Sequence, residues 1–336
     1  MLAEVLKPST LLCPVCGGHL TEEQNRISCQ ACSRAFPVDE AAEIPLLFWP
    51  NEFAASLEDV TDKVRAFYEE TPFPNYDNLD TRESLQAKAR RGLYARLLDE
   101  QLPPGAAVLE AGCGTGQLTN FLGMHWNRRC VGTDICLNSL RLAKGFRDRL
   151  AIRNAGFVQM NLFRPVFPPE SFDVVVTNGV LHSTTDPYGG FKSLARLVKP
   201  GGTVIIGLYN HIGRFPTFFR RWLFRTTGDT FLWLDGNIRS RQYNRGRFQA
   251  WFRDQYEHPH ETAHCYSEVL EWFERERFEF LFALPKIDGK PLTAEDRLFE
   301  RHSPGTRWTR WLTEVEMLAQ GGVDGALYIM IGRKAG

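Results

Sequence analysis

Val108-Leu-Glu-Ala-Gly-Cys-Gly-Thr-Gly116 decides how this chain is read. An apolar run typical of a buried strand passes directly into a glycine loop. Glu110 stands two residues before the first of three alternating glycines, Gly112, Gly114 and Gly116. Glycine admits backbone close to a ligand where any Cβ would collide. A helix is expected over 117–122, so free N–H groups at its start face whatever fills the loop. A dinucleotide fingerprint, G-x-G-x-x-G, needs a third glycine where Gln117 stands. The pattern here is instead E-x-G-x-G-x-G, which by itself also suits an ordinary strand-to-helix turn.

Further strands follow in order. Arg129-Cys-Val-Gly-Thr-Asp134 ends in an acid 24 positions after Glu110. A strand-end acid about 20 residues on can accept both ribose hydroxyls of a nucleoside. Asp134 can equally cap a helix over 137–146, and the two roles are compatible. Gly156-Phe-Val-Gln-Met-Asn-Leu162 and Ser171-Phe-Asp-Val-Val-Val-Thr-Asn178 read as the third and fourth strands. The latter is the near-continuous apolar run of a parallel strand covered on both faces. A helix, then Lys199-Pro-Gly-Gly202 and a fifth strand over 203–208, complete the series.

This series, over roughly residues 90–210, resembles the class I S-adenosylmethionine-dependent methyltransferases, whose motif I is the E-x-G-x-G-x-G loop. The resemblance implies an α/β fold with a Rossmann-like seven-stranded sheet and helices on both faces. The strands at 278–284 and 326–332 would close the sheet, the last inserted antiparallel. It implies S-adenosyl-L-methionine as cofactor, contacted by Glu110, Gly112, Cys113, Gly114, Gly116, Asp134 and Ile135. Asn161, Leu162 and Asn178 would complete that site. The family often has Asp where this chain has Asn161, whose side-chain oxygen still accepts a hydrogen bond. The acid near the loop suits a sulfonium and an aminoacyl tail better than a pyrophosphate.

Composition sets bounds. The 336 residues allow one large domain plus a small one. No run of 18 apolar residues is present, so no membrane span is expected. No basic segment followed by an apolar core marks a secretory signal. The formal net charge is zero, against a generally basic nucleic-acid binder. Cys113, Cys130, Cys136 and Cys265 are scattered through the expected core as small apolar residues. With no leader, this suggests a reducing, cytoplasmic setting.

The remaining cysteines, Cys13, Cys16, Cys29 and Cys32, form C-x2-C-x12-C-x2-C. Two thiolate pairs joined by a hairpin can complete a tetrahedron around Zn²⁺, a structural site with no open position. Two disulfides or a metal-free ribbon are the plain alternatives. The flanks Phe36-Pro-Val-Asp-Glu and Ile44-Pro-Leu-Leu-Phe48 resemble the small zinc-ribbon activator subunit of tRNA and release-factor methyltransferases. Here Ala-Ala-Glu-Ile-Pro replaces that family's Asp-Gly-Ile-Pro turn. The implied organisation is a ribbon over 1–48, a helical connector or cofactor lid over 49–100, and a methyltransferase domain over 101–336. The domain carries a cap insertion at 209–265 and a second, helical insertion at 286–320. The ribbon is too short for a large core, so metal would supply much of its folding free energy.

The connector is expected to hold one helix near 61–70 and another over 83–101. Tyr68, Phe73 and Tyr76 either line the methyl-donor pocket or pack beneath a linker. In the cap, Phe215, Phe218, Phe219 and Trp222 recur at helical spacing. That stripe fits a helix packed on the domain, with a membrane-surface helix as the other reading. From 209 to 261 the chain has nine arginines, no lysine and five acids. This suits a phosphate- or carboxylate-bearing substrate or RNA, or a solvated face with internal ion pairs. His258, His260 and His264 straddle a proline and read as polar pocket or loop residues, not a metal site.

Methyl transfer needs in-line placement and exclusion of water, and a general base for a neutral acceptor. His182, past the fourth strand at the sheet's carboxyl edge, is the first candidate base, or else a pocket or capping histidine. Tyr209 and His211 are the second candidates. Three functions stay open: methyl transfer to a small-molecule or lipid-like acceptor, modification of tRNA or protein, and a non-catalytic S-adenosylmethionine-binding scaffold.

Overall fold

A computed structural model describes residues 6, 10–23, 26–53, 57–74, 81–228, 230 and 252–336. The parallel strands are β5 (Ala107–Ala111), β6 (Arg129–Asp134), β7 (Ala155–Gln159), β8 (Phe172–Asn178) and β9 (Val198–Tyr209). They are joined by β10 (Phe278–Leu284) and β11 (Leu327–Lys334) into one seven-stranded sheet, ordered β10-β11-β9-β8-β5-β6-β7. β11 lies antiparallel between β9 and β10, as expected. Consecutive residues alternate between two cores: Leu109, Val175 and Ile206 belong to one, Val108, Val174 and Ile205 to the other. Both faces are therefore covered, which is why these strands read as unbroken apolar runs.

Strand order reverses at β5, which pairs with β6 on one side and β8 on the other. A crevice opens at such a switch point, outside the carboxyl ends of the strands. α4 (Gln117–Gly123) leaves the glycine loop, α5 (Leu137–Arg149) follows β6, and α6 (Pro187–Ala195) follows β8.

The N-terminal ribbon is a separate four-stranded antiparallel sheet of β1 (Leu20–Glu23), β2 (Arg26–Cys29), β3 (Ala35–Asp39) and β4 (Ile44–Pro45). It does not stand apart. Leu46 bridges Gln159 in parallel, and the Leu47 N–H donates to the Gln159 carbonyl at 3.0 Å, so the ribbon continues the sheet beyond its β7 edge. Leu11, Leu20, Ile27 and Leu47 join the core on one face of the main sheet. Arg141 of α5 donates from Nη2 to the Asp39 carboxylate at 2.6 Å.

In the connector, α1 (Thr61–Glu70) stops at Thr71 as expected. The single helix expected over 83–101 is two, α2 (Arg82–Arg91) and α3 (Leu93–Gln101), because Gly92 turns to an extended ψ of 111°. Beyond β9, α7 (Phe215–Thr227) begins the insertion, a π turn spans Arg253–Glu257, and α8 (Tyr266–Arg275) returns to the sheet. The second insertion is helical only in its latter part: 286–306 is turns and coil, and α9 runs Arg307–Asp324. Gly289, Pro291 and the Ser303-Pro-Gly305 turn account for the loss of helix before it.

Candidate active site

The loop at 112–116 is built from left-handed glycines. Gly112, Gly114 and Gly116 have φ of 76°, 51° and 71°. The Gly112 and Cys113 N–H groups donate to the Thr133 carbonyl at 2.7 and 2.9 Å, and the Gly114 N–H donates to Asp134 Oδ2 at 2.8 Å. The loop is thereby pinned to the end of β6. Its glycines face different neighbours. A Cβ on Gly112 would lie 2.2 Å from a Val180 methyl, and one on Gly114 would lie 2.2 Å from the Phe73 carbonyl oxygen. Gly116 abuts Ala143 and the Phe157 ring, so it serves helix packing.

Beside the loop lies a cavity of about 360 Å³. Its walls come from the ends of four strands: Glu110 near the end of β5, Asp134 of β6, Asn178 of β8 and Tyr209 of β9. Ile135, Gly112, Cys113 and Gly114 line it as well. The sequence places Tyr68, Phe73 and Tyr76 over a donor pocket or beneath a linker. Tyr68 and Phe73 do line the cavity, with Val64 and Pro74 of the same connector, and Tyr76 lies outside the described residues. The connector is anchored by Glu69, whose carboxylate accepts the Leu137 and Asn138 N–H groups at 2.6 and 3.0 Å.

Two acids share one wall. Glu110 Oε2 accepts the Thr119 N–H at 2.8 Å and the Thr119 hydroxyl. Burial pushes its carboxyl up to about 7 against the Thr119 bonds, with the Asp134 charge adding to the rise. Asp134 accepts the Cys136 N–H at 2.9 Å in addition to Gly114. Burial raises its carboxyl too, and these backbone donors hold the rise in check.

The facing wall comes from the turn after β8 and from the insertion. The 3-10 turn Leu181–Ser183 buries His182 against Tyr209, with ring centroids 4.3 Å apart. Nδ1 of His182 has no hydrogen-bond partner among the described residues. Burial drives this imidazole down to about 3, with the Arg214 charge adding to the fall and Glu261 opposing it. Arg214 lies 3.6 Å above the Tyr209 ring and grips Glu261 through two bonds of 2.8 and 2.9 Å. Arg221 adds a third at 2.8 Å. Burial alone would raise the Glu261 carboxyl, but these guanidiniums bring it to about 2. His258 completes the wall, its Nε2 3.3 Å from the Ser183 hydroxyl.

Several expected positions lie elsewhere. His211 is exposed and does not line the cavity, because the chain turns outward after Asn210. Asn161 and Leu162 do not line it either. The Asn161 amide is buried and donates to the Trp49 carbonyl and to Asn51 Oδ1 at 2.9 and 2.6 Å, tying the ribbon's exit to β7. Leu162 packs where a Gly190 Cβ would fall. Conversely, Ser183, Val180 and Leu327 line the cavity without any sequence signal. Only the histidine-rich stretch holding His258 hinted at a polar wall.

The four ribbon cysteines place their sulfurs within 4.8 Å of one another. Cys13 and Cys32 are 3.8 Å apart and Cys16 and Cys29 are 3.5 Å apart, far beyond an S–S bond of about 2.0 Å. Edges of roughly 3.8 Å are those of a tetrahedron with Zn–S of about 2.3 Å, so the set fits a metal ion better than disulfides.

Residues 109–206 match a family described as a methyltransferase domain. The uncharacterized protein syc1184_c of Synechococcus sp. is 27% identical over 295 residues, covering 77% of this chain and 69% of that protein. A demethylmenaquinone methyltransferase of Corynebacterium urealyticum is 31% identical over 200 residues, 59% of this chain and 82% of that enzyme. Among solved structures, a chain from the complex between the Haloferax volcanii Trm112 methyltransferase activator and a methyltransferase is 16% identical. It covers 76% of this chain and 99% of its own length, with a TM-score of 0.45.

Glu261 is paired with two buried guanidiniums at once. Replacing it (Glu261→Ala) is expected to cost about 3–5 kcal/mol of stability, the penalty for stranding buried charge. Chemical denaturation checks this, and a loss under about 1 kcal/mol would show that the cluster is not a fixed part of the wall.

Proposed function

This chain belongs to the class I S-adenosylmethionine-dependent methyltransferases, and from that premise we propose that it methylates a small, lipid-like acceptor of the hydroxylated-ring type. The cleft carries this reading: acids and glycine backbone on one wall, aromatic rings, a neutral imidazole and Glu261 on the other. A cleft of this size takes a small ring more readily than a folded macromolecule. The Corynebacterium relative, named for a demethylated menaquinone, supports the same acceptor class.

When bound, the donor supplies an electrophilic methyl carbon on a sulfonium. The residues that would hold it are the backbone at 112–114, Glu110 for the aminoacyl end and Asp134 for the ribose hydroxyls, with Ile135 and Asn178 alongside. Both carboxyls are raised by burial, so a cationic ligand has charge to recover by ionising them. On the opposite wall, His182 stays neutral at physiological pH. Its unpartnered nitrogen can accept a hydrogen bond from an acceptor hydroxyl, drawing electron density towards the nucleophilic atom. Tyr209 stacks beside it and fixes the ring. Tyr68 and Phe73 shield the reacting atoms from water. We assign His182 as the polarising base, Tyr209 as a positioning residue, and no role to His211.

Donor affinity should depend on pH with a definite sign. Glu110 titrates near 7 in the empty protein and lower once a cation lies beside it. Affinity should therefore fall as pH drops from 8 to 6, approaching about tenfold per unit below 7, with proton release on binding. Calorimetry in buffers of different ionisation enthalpy measures this. Glu110→Gln should flatten the profile, and Asp134→Ala should abolish binding; a variant pair binding like the parent would overturn the assignment.

The acceptor is identified by incubating the protein with methyl-labelled donor and fractionated cell extract. Counts should enter the lipid and small-molecule fractions. Counts in RNA or protein instead would select the modification reading that the ribbon's resemblance favours, and no transfer despite donor binding would select a scaffold.

We also propose Zn²⁺ at Cys13, Cys16, Cys29 and Cys32. Metal analysis should find one zinc per chain. Cys16→Ser should lose it and loosen the ribbon, while donor affinity changes by less than about threefold, since among the described residues none before Val64 lines the cavity. Parallel loss of donor binding would make the ribbon integral to the cleft.

A further inference from the structure

Helix α7 has two unlike faces. Inward, Arg221 and the preceding Arg214 are buried and paired with Glu261, which lines the cavity. Outward, Phe215, Phe219 and Trp222 follow one another at helical spacing and are 64%, 52% and 59% exposed. α9 packs on α7 and adds Trp308 and Trp311, stacked at 4.8 Å and 63% and 44% exposed. Single exposed apolar residues are ordinary, whereas a run of large aromatics marks a docking surface. Basic side chains flank these rings. α7 contains no acid, Arg225 is exposed in its last turn, and Arg307 is exposed next to Trp308. The stretch 209–261 holds nine arginines and five acids in a chain whose net charge is zero.

We propose that α7 and the start of α9 dock on a lipid bilayer surface that contains anionic headgroups. Phenylalanine and tryptophan on one helical stripe enter the headgroup–acyl boundary, and arginines at its flank reach lipid phosphates. No helix of the described residues is long and apolar enough to cross a membrane, so the contact is interfacial. RNA fits less well. Arg214, Arg221 and Arg253 are already held by Glu261 and Glu70, and the exposed rings demand an apolar partner. The surface helix reaches the cavity through the Arg221–Glu261 ion pair, so docking places the cleft close to the lipid. This inference does not rest on the proposed acceptor, because binding to vesicles is read without turnover.

The test uses the full chain and co-sedimentation with phosphatidylcholine vesicles, with and without phosphatidylglycerol. The expected result is partition onto the anionic vesicles, weakened by salt and by omission of phosphatidylglycerol. The triple variant Phe215→Ser, Phe219→Ser, Trp222→Ser should lose about tenfold or more in partition, and Arg225→Glu about threefold. The replaced side chains are exposed, and an unchanged unfolding midpoint confirms that each variant folds. Failure of the parent to sediment with anionic vesicles overturns the proposal, as does undiminished sedimentation of the triple variant. So does a parent dimer that the triple variant converts to monomer, or displacement of the aromatic face by RNA in place of vesicles.

Discussion

The carboxylate of Asp134 holding the Gly114 N–H is the bond on which the rest of the cleft depends. It fixes a run of left-handed backbone at the one place where the strand order reverses. With the two N–H groups that reach the Thr133 carbonyl, it joins the ends of β5 and β6 into a rigid lip. The connector then rests on that lip: the Thr115 N–H donates to the Phe73 carbonyl at 3.3 Å, close against Gly114. A side chain at Gly114 would lift the connector away. The glycine here is thus required by a neighbouring segment of the same chain as much as by any ligand.

The opposite wall obeys a different physics. It is held by a carboxylate shared between two buried guanidiniums, one of which covers the face of Tyr209. Such a cluster is costly to desolvate, and it persists because every partner is satisfied. It also sets the local potential. Burial, aided by the nearby Arg214, keeps His182 unprotonated, so its imidazole offers a lone pair rather than a charge. Two carboxyls raised by burial on one side, and a neutral imidazole beside an ionised Glu261 on the other, give the cleft two unlike walls.

These two walls were unequally legible in the sequence. The glycine lip was, because its elements are local: alternating glycines, an acid at each strand end, and apolar runs of strand length. Tyr209 and His182 were visible for the same reason, each at or just past a strand end. The Arg214–Glu261 pair was not, since it joins residues 47 positions apart with no periodicity to announce it. Asn161 shows the converse. Its place after the third strand suggested a ligand contact, but its amide had a nearer claimant in the ribbon's exit at Trp49 and Asn51. His211 was misplaced by a single turn of backbone. In the connector, one glycine converted an expected helix into two.

The ribbon's attachment carries one last consequence. An open sheet ends in a strand with unmatched amides and carbonyls, a template on which another copy can grow. In this molecule the segment around Leu46 and Leu47 occupies that position along β7. The ribbon that carries the cysteine cluster therefore also guards an edge: were its fold to loosen, β7 would be left open to a neighbouring molecule.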